Sequence, residues 1–303
     1  MKVLLIGYGS IGKRHEEVLL TFQDINSIEI VTRQNLKEKK TFKSLSDIQN
    51  LYKYDYFIIA SETNKHYEQL QYLEKNIKNK IIFCEKPLFD TYQNLNITKN
   101  TIYLGYVLRF HPLLQKLKVL IENQKIININ VHTGQYLPTW RADIDYQKSY
   151  SAFKVKGGGV LLDLSHEIDY VQWFAGTLTE IKSYQVKISD LEIDSDDLTT
   201  FIGKSENGII INISIDYISK IFHRNLHINT LDNSYFLDFI ENTLIQKDKQ
   251  GNQNIFKEKS LKRNDMFIEM HQSILNKKNI ATNYVEAKNV MHTIKIIQEQ
   301  NNE

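Results

Sequence analysis

The chain has 303 residues, 42% hydrophobic and 24% charged, which is long for one core of ordinary size and suits two globular domains. Lys and Arg number 38 against 36 Asp and Glu, a net charge of +2 that gives no electrostatic reason to expect nucleic acid or an anionic membrane as partner. One cysteine cannot form an internal disulfide and suits a reducing compartment, and three prolines argue against a Pro-rich linker.

The first apolar run, residues 3–6, is too short for a signal peptide and is closed by Gly7. No later run approaches the roughly 20 residues of a spanning helix, so a cytoplasmic protein is expected. Short β-rich runs at 3–6, 28–32, 56–60, 81–84 and 102–106 lack strict alternation, as strands buried on both faces of a parallel sheet do. Helical patterns over 11–22 and 64–75 fall between them, which predicts a doubly wound α/β Rossmann domain over 1–110.

Beyond it the pattern changes. A helix over 112–122, a strand over 126–133, an aromatic polar loop over 134–156 and a helix over 157–174 precede strand-like runs at 181–188, 198–202, 209–217, 225–230 and 235–240. Helices over 266–276 and 285–300 close the chain. Residues 111–303 therefore read as an α+β domain with a large, mainly antiparallel sheet. An apolar free face on such a sheet would seek a second subunit, giving a homodimer or homotetramer.

Gly7-Tyr8-Gly9-Ser10-Ile11-Gly12 follows the first strand and opens a helix. Gly7 permits the tight turn, Gly9 lets the backbone approach a pyrophosphate, and Gly12 lets helix and strand pack closely. The N–H groups starting at Ser10 and Ile11 then face the phosphate charge. An acidic residue ending the second strand would hold the ribose 2′-hydroxyl of NAD; Thr32 and Arg33 stand there instead. This pair favours the 2′-phosphate of NADP, with NAD possible. Lys37, Lys39 and Lys40 read as solvated charges.

Four further segments carry a resemblance. They are Ala60-Ser61-Glu62-Thr63-Asn64-Lys65-His66, Glu85-Lys86-Pro87, Gly105-Tyr106-Val107-Leu108-Arg109-Phe110-His111-Pro112, and the run from Gly157-Gly158-Gly159 to Asp163, His166 and Asp169. With the glycine loop they resemble the Gfo/Idh/MocA oxidoreductases across nearly the whole chain. The resemblance implies that Lys86 is the catalytic lysine, reaching the nicotinamide ribose and the reacting hydroxyl. It implies that Glu85 and Asn64 lie by the nicotinamide half, with Ser61 and His66 in the same cofactor segment, where His66 reads at least as well as a structural residue at the start of a helix. It also implies that His166 is the second acid–base group and that Asp163 orients substrate or relays a proton.

The residues themselves agree in part. Lys86 follows the carboxyl end of a predicted sheet strand, where α/β proteins place ligands. Asp163 and His166, three apart on a predicted helix, share a face, and imidazole titrates near neutrality. Many relatives space this pair by four, the position of Glu167 here, so either His166 or Glu167 could fill the second role. His15 caps or lines the cofactor-facing helix, or simply packs. Cys84 ends an apolar strand and reads as a buried inert thiol. No Cys, His and Asp spacing indicates a metal.

The loop after residue 134 carries Tyr136, Trp140, Arg141, Tyr146, Lys148 and Tyr150, a mixture of aromatic faces and cations suited to a sugar with an anionic group, or equally to packing. Arg109 could assist it. The expected activity is NAD(P)-dependent hydride transfer at a carbinol carbon of a sugar, nucleotide sugar or cyclitol. Alternatives are a redox-neutral glycosidase or epimerase, and a non-catalytic dinucleotide sensor or scaffold.

Overall fold

The computed structural model describes residues 1–140 and 145–301. In chain order the elements are β1 (Lys2–Ile6), α1 (Ser10–Leu19), β2 (Ser27–Val31), β3 (Thr41–Phe42), β4 (Tyr56–Ile59), α2 (His66–Asn76), β5 (Ile81–Cys84), β6 (Thr101–Leu104), α3 (Pro112–Leu120) and β7 (Ile126–Gly134). They continue with α4 (Val160–Asp163), α5 (His166–Ala175), β8 (Leu178–Val186), β9 (Leu198–Ser205), β10 (Ile210–Asp216), β11 (His223–Thr230), β12 (Asn233–Asp238), β13 (Thr243–Asp248), β14 (Gln253–Lys257), α6 (Asp265–Leu275) and α7 (Tyr284–Gln300). No helix among the described residues is long and apolar enough to cross a membrane.

The chain divides into two compact units. The first comprises Met1–Val107 with Lys262–Lys288, the second Leu108–Leu261 with Asn289–Glu303. The segment 262–288, expected in the second domain, thus belongs with the first. Its contacts explain this: Thr282 O accepts the N–H of Leu104 at 2.9 Å, Asn283 bridges to Tyr103, and the Tyr284 hydroxyl donates to Leu95 O.

The first unit holds a six-stranded parallel sheet ordered β3-β2-β1-β4-β5-β6. Residues 3–6 and 56–59 are buried without alternation, because helices cover both faces of such a sheet. Strand order reverses between β1 and β4, so the glycine loop leaving β1 lies at the crevice where doubly wound sheets bind ligands.

The second unit is built on an eight-stranded sheet ordered β14-β13-β12-β11-β7-β10-β9-β8. All its pairings are antiparallel except β7 with β10. β7 inserts between β10 and β11, so the chain's earliest strand here lies inside the sheet. One face is apolar, with Ile129, Val131, Ile211, Ile213, Ile215, Leu226 and Ile228 buried. The sequence missed β13 and β14, whose runs TLIQKD and QNIFK carry few apolar residues because they form an exposed sheet edge.

The helix expected over 157–174 is broken. α4 has only four residues, and Leu164 (φ −98°, ψ 26°) leaves the helical region before α5 starts at His166. The Ser165 hydroxyl donates to Leu162 O at 2.9 Å, competing with the backbone ladder at the break. The premise that Asp163 and His166 share one face of a continuous helix therefore does not hold.

Candidate active site

The glycine loop has the geometry the pattern requires. Gly7 has φ +95°, and a Cβ there would sit 2.5 Å from Ala60 O. A Cβ on Gly12 would sit 2.4 Å from Gly7 O, so helix and strand backbones touch. Gly9 is different: no heavy atom lies within 4 Å of its would-be Cβ. Its missing side chain serves something outside the fold, and an open backbone before a helix whose first turn has no side-chain cap and no acidic residue fits a pyrophosphate. The residues present thus fit a dinucleotide.

At the end of β2, Thr32 is buried and its hydroxyl accepts the Gln34 N–H, while Arg33 is exposed and its carbonyl accepts a hydrogen bond from Lys43 Nζ. The Gln34 side chain donates to Tyr8 O at 2.9 Å, tying this turn to the glycine loop. No carboxylate stands among Thr32, Arg33, Gln34 and Asn35.

Beyond β4, Asn64 is exposed in a short 3-10 turn over Thr63–Lys65, and Ser61 donates its hydroxyl to Gln69. His66, grouped above with cofactor residues, is 1% exposed. Its Nδ1 lies 3.0 Å from Pro87 O and its Nε2 3.3 Å from Ser61 O. Burial pushes its pKa down, so the ring is neutral and its single N–H donates to one carbonyl, the shorter contact being that to Pro87 O. His66 is a staple: it ties the end of β4 to the turn that carries Lys86.

Lys86 is half-buried at the exit of β5, joined to Pro87 by a cis peptide bond. Glu85 beside it is held from several directions. Its backbone N–H donates to Ile59 O, its Oε2 accepts the Lys86 N–H at 3.1 Å, and a Cβ on Gly105 would sit 2.8 Å from the carboxylate. Its Oε1 lies 2.9 Å from His15 Nε2.

His15 belongs to a larger array. His15 Nδ1 lies 2.9 Å from His271 Nε2 on α6, and His271 Nδ1 lies 2.8 Å from the Tyr56 hydroxyl on β4. All three are 0% exposed, with Phe83 and Phe267 edge-on to His15. Burial, and then His15, hold the His271 pKa well below its ordinary value, so that ring is neutral. Glu85 only accepts, so His15 Nε2–H donates to it, and the row continues from His15 Nδ1 through His271 to the Tyr56 hydroxyl. Tyr56 and His271 carry no sequence signal. They come from the first residue of β4 and from a helix 256 residues beyond His15 in the chain. Cys84 is a buried thiol whose pKa burial pushes well up, as an inert core cysteine.

In the second unit, Asp163 is buried and accepts three hydroxyls: Tyr150 at 2.7 Å, Ser151 at 2.6 Å and Tyr217 at 2.6 Å. Burial and the adjoining carboxylate push the Tyr217 pKa well up, so that hydroxyl keeps its proton and remains a donor. Tyr150 is 38% exposed, and Trp140 stands edge-on to Tyr217 and donates its indole N–H to Gln135. Arg141 lies outside the described residues.

His166 is half-buried at the start of α5, and the structure separates it from Glu167. Glu167 is fully buried against the sheet, accepting from Thr133 at 2.9 Å and Arg224 Nε at 2.8 Å. Through Oε1 this carboxylate forms a buried ion pair with Arg224. Arg109 requires a correction. It is 2% exposed, and its guanidinium grips Asp169 with two hydrogen bonds, Nε to Oδ2 at 2.9 Å and Nη2 to Oδ1 at 2.8 Å, above the ring of Trp173. A fork paired in this way anchors α5 rather than a substrate.

Comparison with known proteins agrees with this architecture. Residues 1–102 match the family described as oxidoreductase family, NAD-binding Rossmann fold, and residues 114–229 match the GFO/IDH/MocA C-terminal domain. The uncharacterized oxidoreductase YrbE of Bacillus subtilis (strain 168) is 26% identical over 195 residues, 58% of this chain and 54% of YrbE. The match thus spans about half the length of that relative. Among solved structures, levoglucosan dehydrogenase in complex with NADH and levoglucosan superposes with a TM-score of 0.80 at 16% identity, covering 99% of this chain and 96% of that one. UDP-N-acetylglucosamine 3-dehydrogenase GnnA from Acidithiobacillus ferrooxidans gives 0.78 at 16%, covering 99% and 97%. At that identity the two likenesses establish the fold.

Proposed function

The chain belongs to the Gfo/Idh/MocA family of NAD-binding oxidoreductases, and from that premise we propose that it transfers a hydride between a nicotinamide cofactor and a carbinol carbon of a sugar, nucleotide sugar or cyclitol. When bound, the cofactor supplies the hydride acceptor or donor. The chain's residues do the rest. Gly7, Gly9 and Gly12 admit the pyrophosphate to the start of α1, and Glu85, fixed by His15, orients the nicotinamide half with Asn64 and Ser61 beside it. In oxidation, Lys86 Nζ as the free amine takes the hydroxyl proton as the hydride leaves the same carbon; in reduction, the ammonium returns it. His166 is the second acid–base group. Asp163 acts through its three hydroxyl partners and so positions Tyr150, while Trp140 and Arg141 complete the substrate side.

The observation that carries this reading is Lys86 at the exit of β5, beside a carboxylate locked from several directions, in an NAD-binding domain. The neighbours solved with sugar ligands support the substrate class. Lys86→Ala tests it: turnover on a panel of sugars and nucleotide sugars is lost while cofactor binding survives, and normal turnover would exclude the role. For the cofactor we favour NADP over NAD, since Thr32 and the exposed Arg33 end β2 without a carboxylate. Arg33→Ala should narrow the preference for NADPH over NADH, and an unchanged ratio removes Arg33 from the argument. Self-association through the second sheet is supported by Ile202, Ile210 and Phe236, exposed on the face opposite the buried isoleucines. The reduced, buried Cys84 suits the cytoplasm.

A further inference from the structure

One cluster in the second unit has no part in the chemistry above. Gly134 on β7 pairs with Asp216 on β10 and with His223 on β11, so the three stand in one row across neighbouring strands. His132, two residues before Gly134, shares their face of the sheet. This is the face opposite Thr133 and Arg224, which touch Glu167. One imidazole nitrogen from each histidine and one carboxylate oxygen of Asp216 lie within 4.8 Å of one another, and the two rings are 4.0 Å apart.

The groups around the cluster prepare it to bind a cation. His223 Nδ1 lies 3.0 Å from Ile221 O, which can only accept, so Nδ1 donates and Nε2 is the ring nitrogen left for a ligand. That Nε2 is buried and has no hydrogen-bond partner among the described residues. A ring nitrogen left bare while its other nitrogen is anchored to a backbone carbonyl is the arrangement metal-ligating histidines use. Asp216 is buried and oriented likewise: Oδ1 accepts the N–H groups of Ile218 and Ser219, and Oδ2 the Ser219 hydroxyl. Gly134 makes room for the group, since a Cβ there would sit 2.5 Å from Asp216 Oδ2 and 2.7 Å from His223 Cε1.

We propose that His132, Asp216 and His223 form a binding site for a divalent transition-metal ion of the zinc class, clamping β7, β10 and β11 on the face of the sheet away from α5. Two imidazoles and a single carboxylate select against magnesium and calcium, which take oxygen ligands. Bonds of 2.0–2.2 Å place tetrahedral ligand atoms about 3.3 Å apart. His132, the exposed member, closes the remaining gap by rotating its side chain, and the fourth position is left to water.

The test uses the full chain without a polyhistidine tag, stripped with chelator and titrated calorimetrically with Zn²⁺, with Co²⁺ as the absorbing probe. One ion per chain is expected, with a tetrahedral cobalt spectrum and a raised Tm. Affinity should fall at least tenfold in His132→Ala and in His223→Ala, and Mg²⁺ should not compete. His132→Ala alters an exposed side chain, so it keeps the test decisive even if the His223 variant unfolds. Absence of binding by the parent chain, or zinc affinity unchanged in His132→Ala, overturns the assignment. Neither outcome bears on the dehydrogenase reading, which Lys86→Ala addresses separately.

Discussion

Replacing His271 by leucine tests the buried row from Tyr56 to Glu85. The substitution refills most of the ring's volume and deletes two hydrogen bonds, of 2.9 Å to His15 and 2.8 Å to Tyr56. Both partners are fully buried, so His15 Nδ1 and the Tyr56 hydroxyl are each left unsatisfied. An orphaned buried polar group costs about 1–3 kcal/mol, which puts His271→Leu about 2–6 kcal/mol below the parent. Tyr56→Phe alone also destabilises, because it leaves His271 Nδ1 without its partner. Combined with His271→Leu, however, Tyr56→Phe removes one of the two orphans, so the double variant should regain about 1–3 kcal/mol over His271→Leu. Native-state hydrogen exchange of the β4 and β5 amides measures the change where it occurs. A double variant less stable than His271→Leu would refute the pairing.

Three further outcomes are expected. Gly9→Val should leave stability within about 0.5 kcal/mol, since its Cβ meets nothing within 4 Å, yet weaken NADH binding at least tenfold; Gly7→Ala, driven into Ala60 O at φ +95°, should instead destabilise the first unit. Unchanged NADH affinity in Gly9→Val removes that residue from the pyrophosphate site. Arg109→Ala should cost about 3–5 kcal/mol by leaving Asp169 buried and unpaired, seen as a lower urea midpoint; a variant that keeps its stability while KM rises would restore the substrate role. Burial depresses the pKa of His66 and His271 in the folded state, so the unfolded chain binds those protons first as pH falls. The stability they contribute is complete above about pH 6.5 and is lost at up to about 1.4 kcal/mol per pH unit for each histidine below it. Urea titrations at successive pH values check this, and a flat profile between neutrality and the acid limb contradicts it.

The Rossmann half was legible because its signals are local. Unbroken apolar runs mark strands covered on both faces, and a glycine spacing tied to a turn can be read within a dozen residues. Lys86 and His166 stand as candidates through motifs alone. What stayed hidden depends on distant partners. Arg109 looks like an anion ligand until Asp169 meets it, and nothing near Glu167 announces Arg224 from another strand. The break after Asp163 rests on one serine back-bond, too weak a cue against a helical apolar pattern. His132 is far in sequence from Asp216 and His223, so spacing rules for metal ligands do not see the three together, although strand pairing brings them into one cluster.

Residues 262–288 complete the cofactor-binding unit, which has a consequence for biosynthesis. A ribosome releases the amino-terminal sheet early, but the partners of His15 and Leu104 emerge only after residues 108–261 of the second unit have been made. Until then His15 has no imidazole beside it and Leu104 lacks its carbonyl acceptor. The nascent first unit must wait while the intervening sheet is synthesised, and contacts of such long range close slowly. A chain arrested before residue 262 should therefore expose the Phe83 side of its parallel sheet to chaperones, even though every strand of that sheet has already been made.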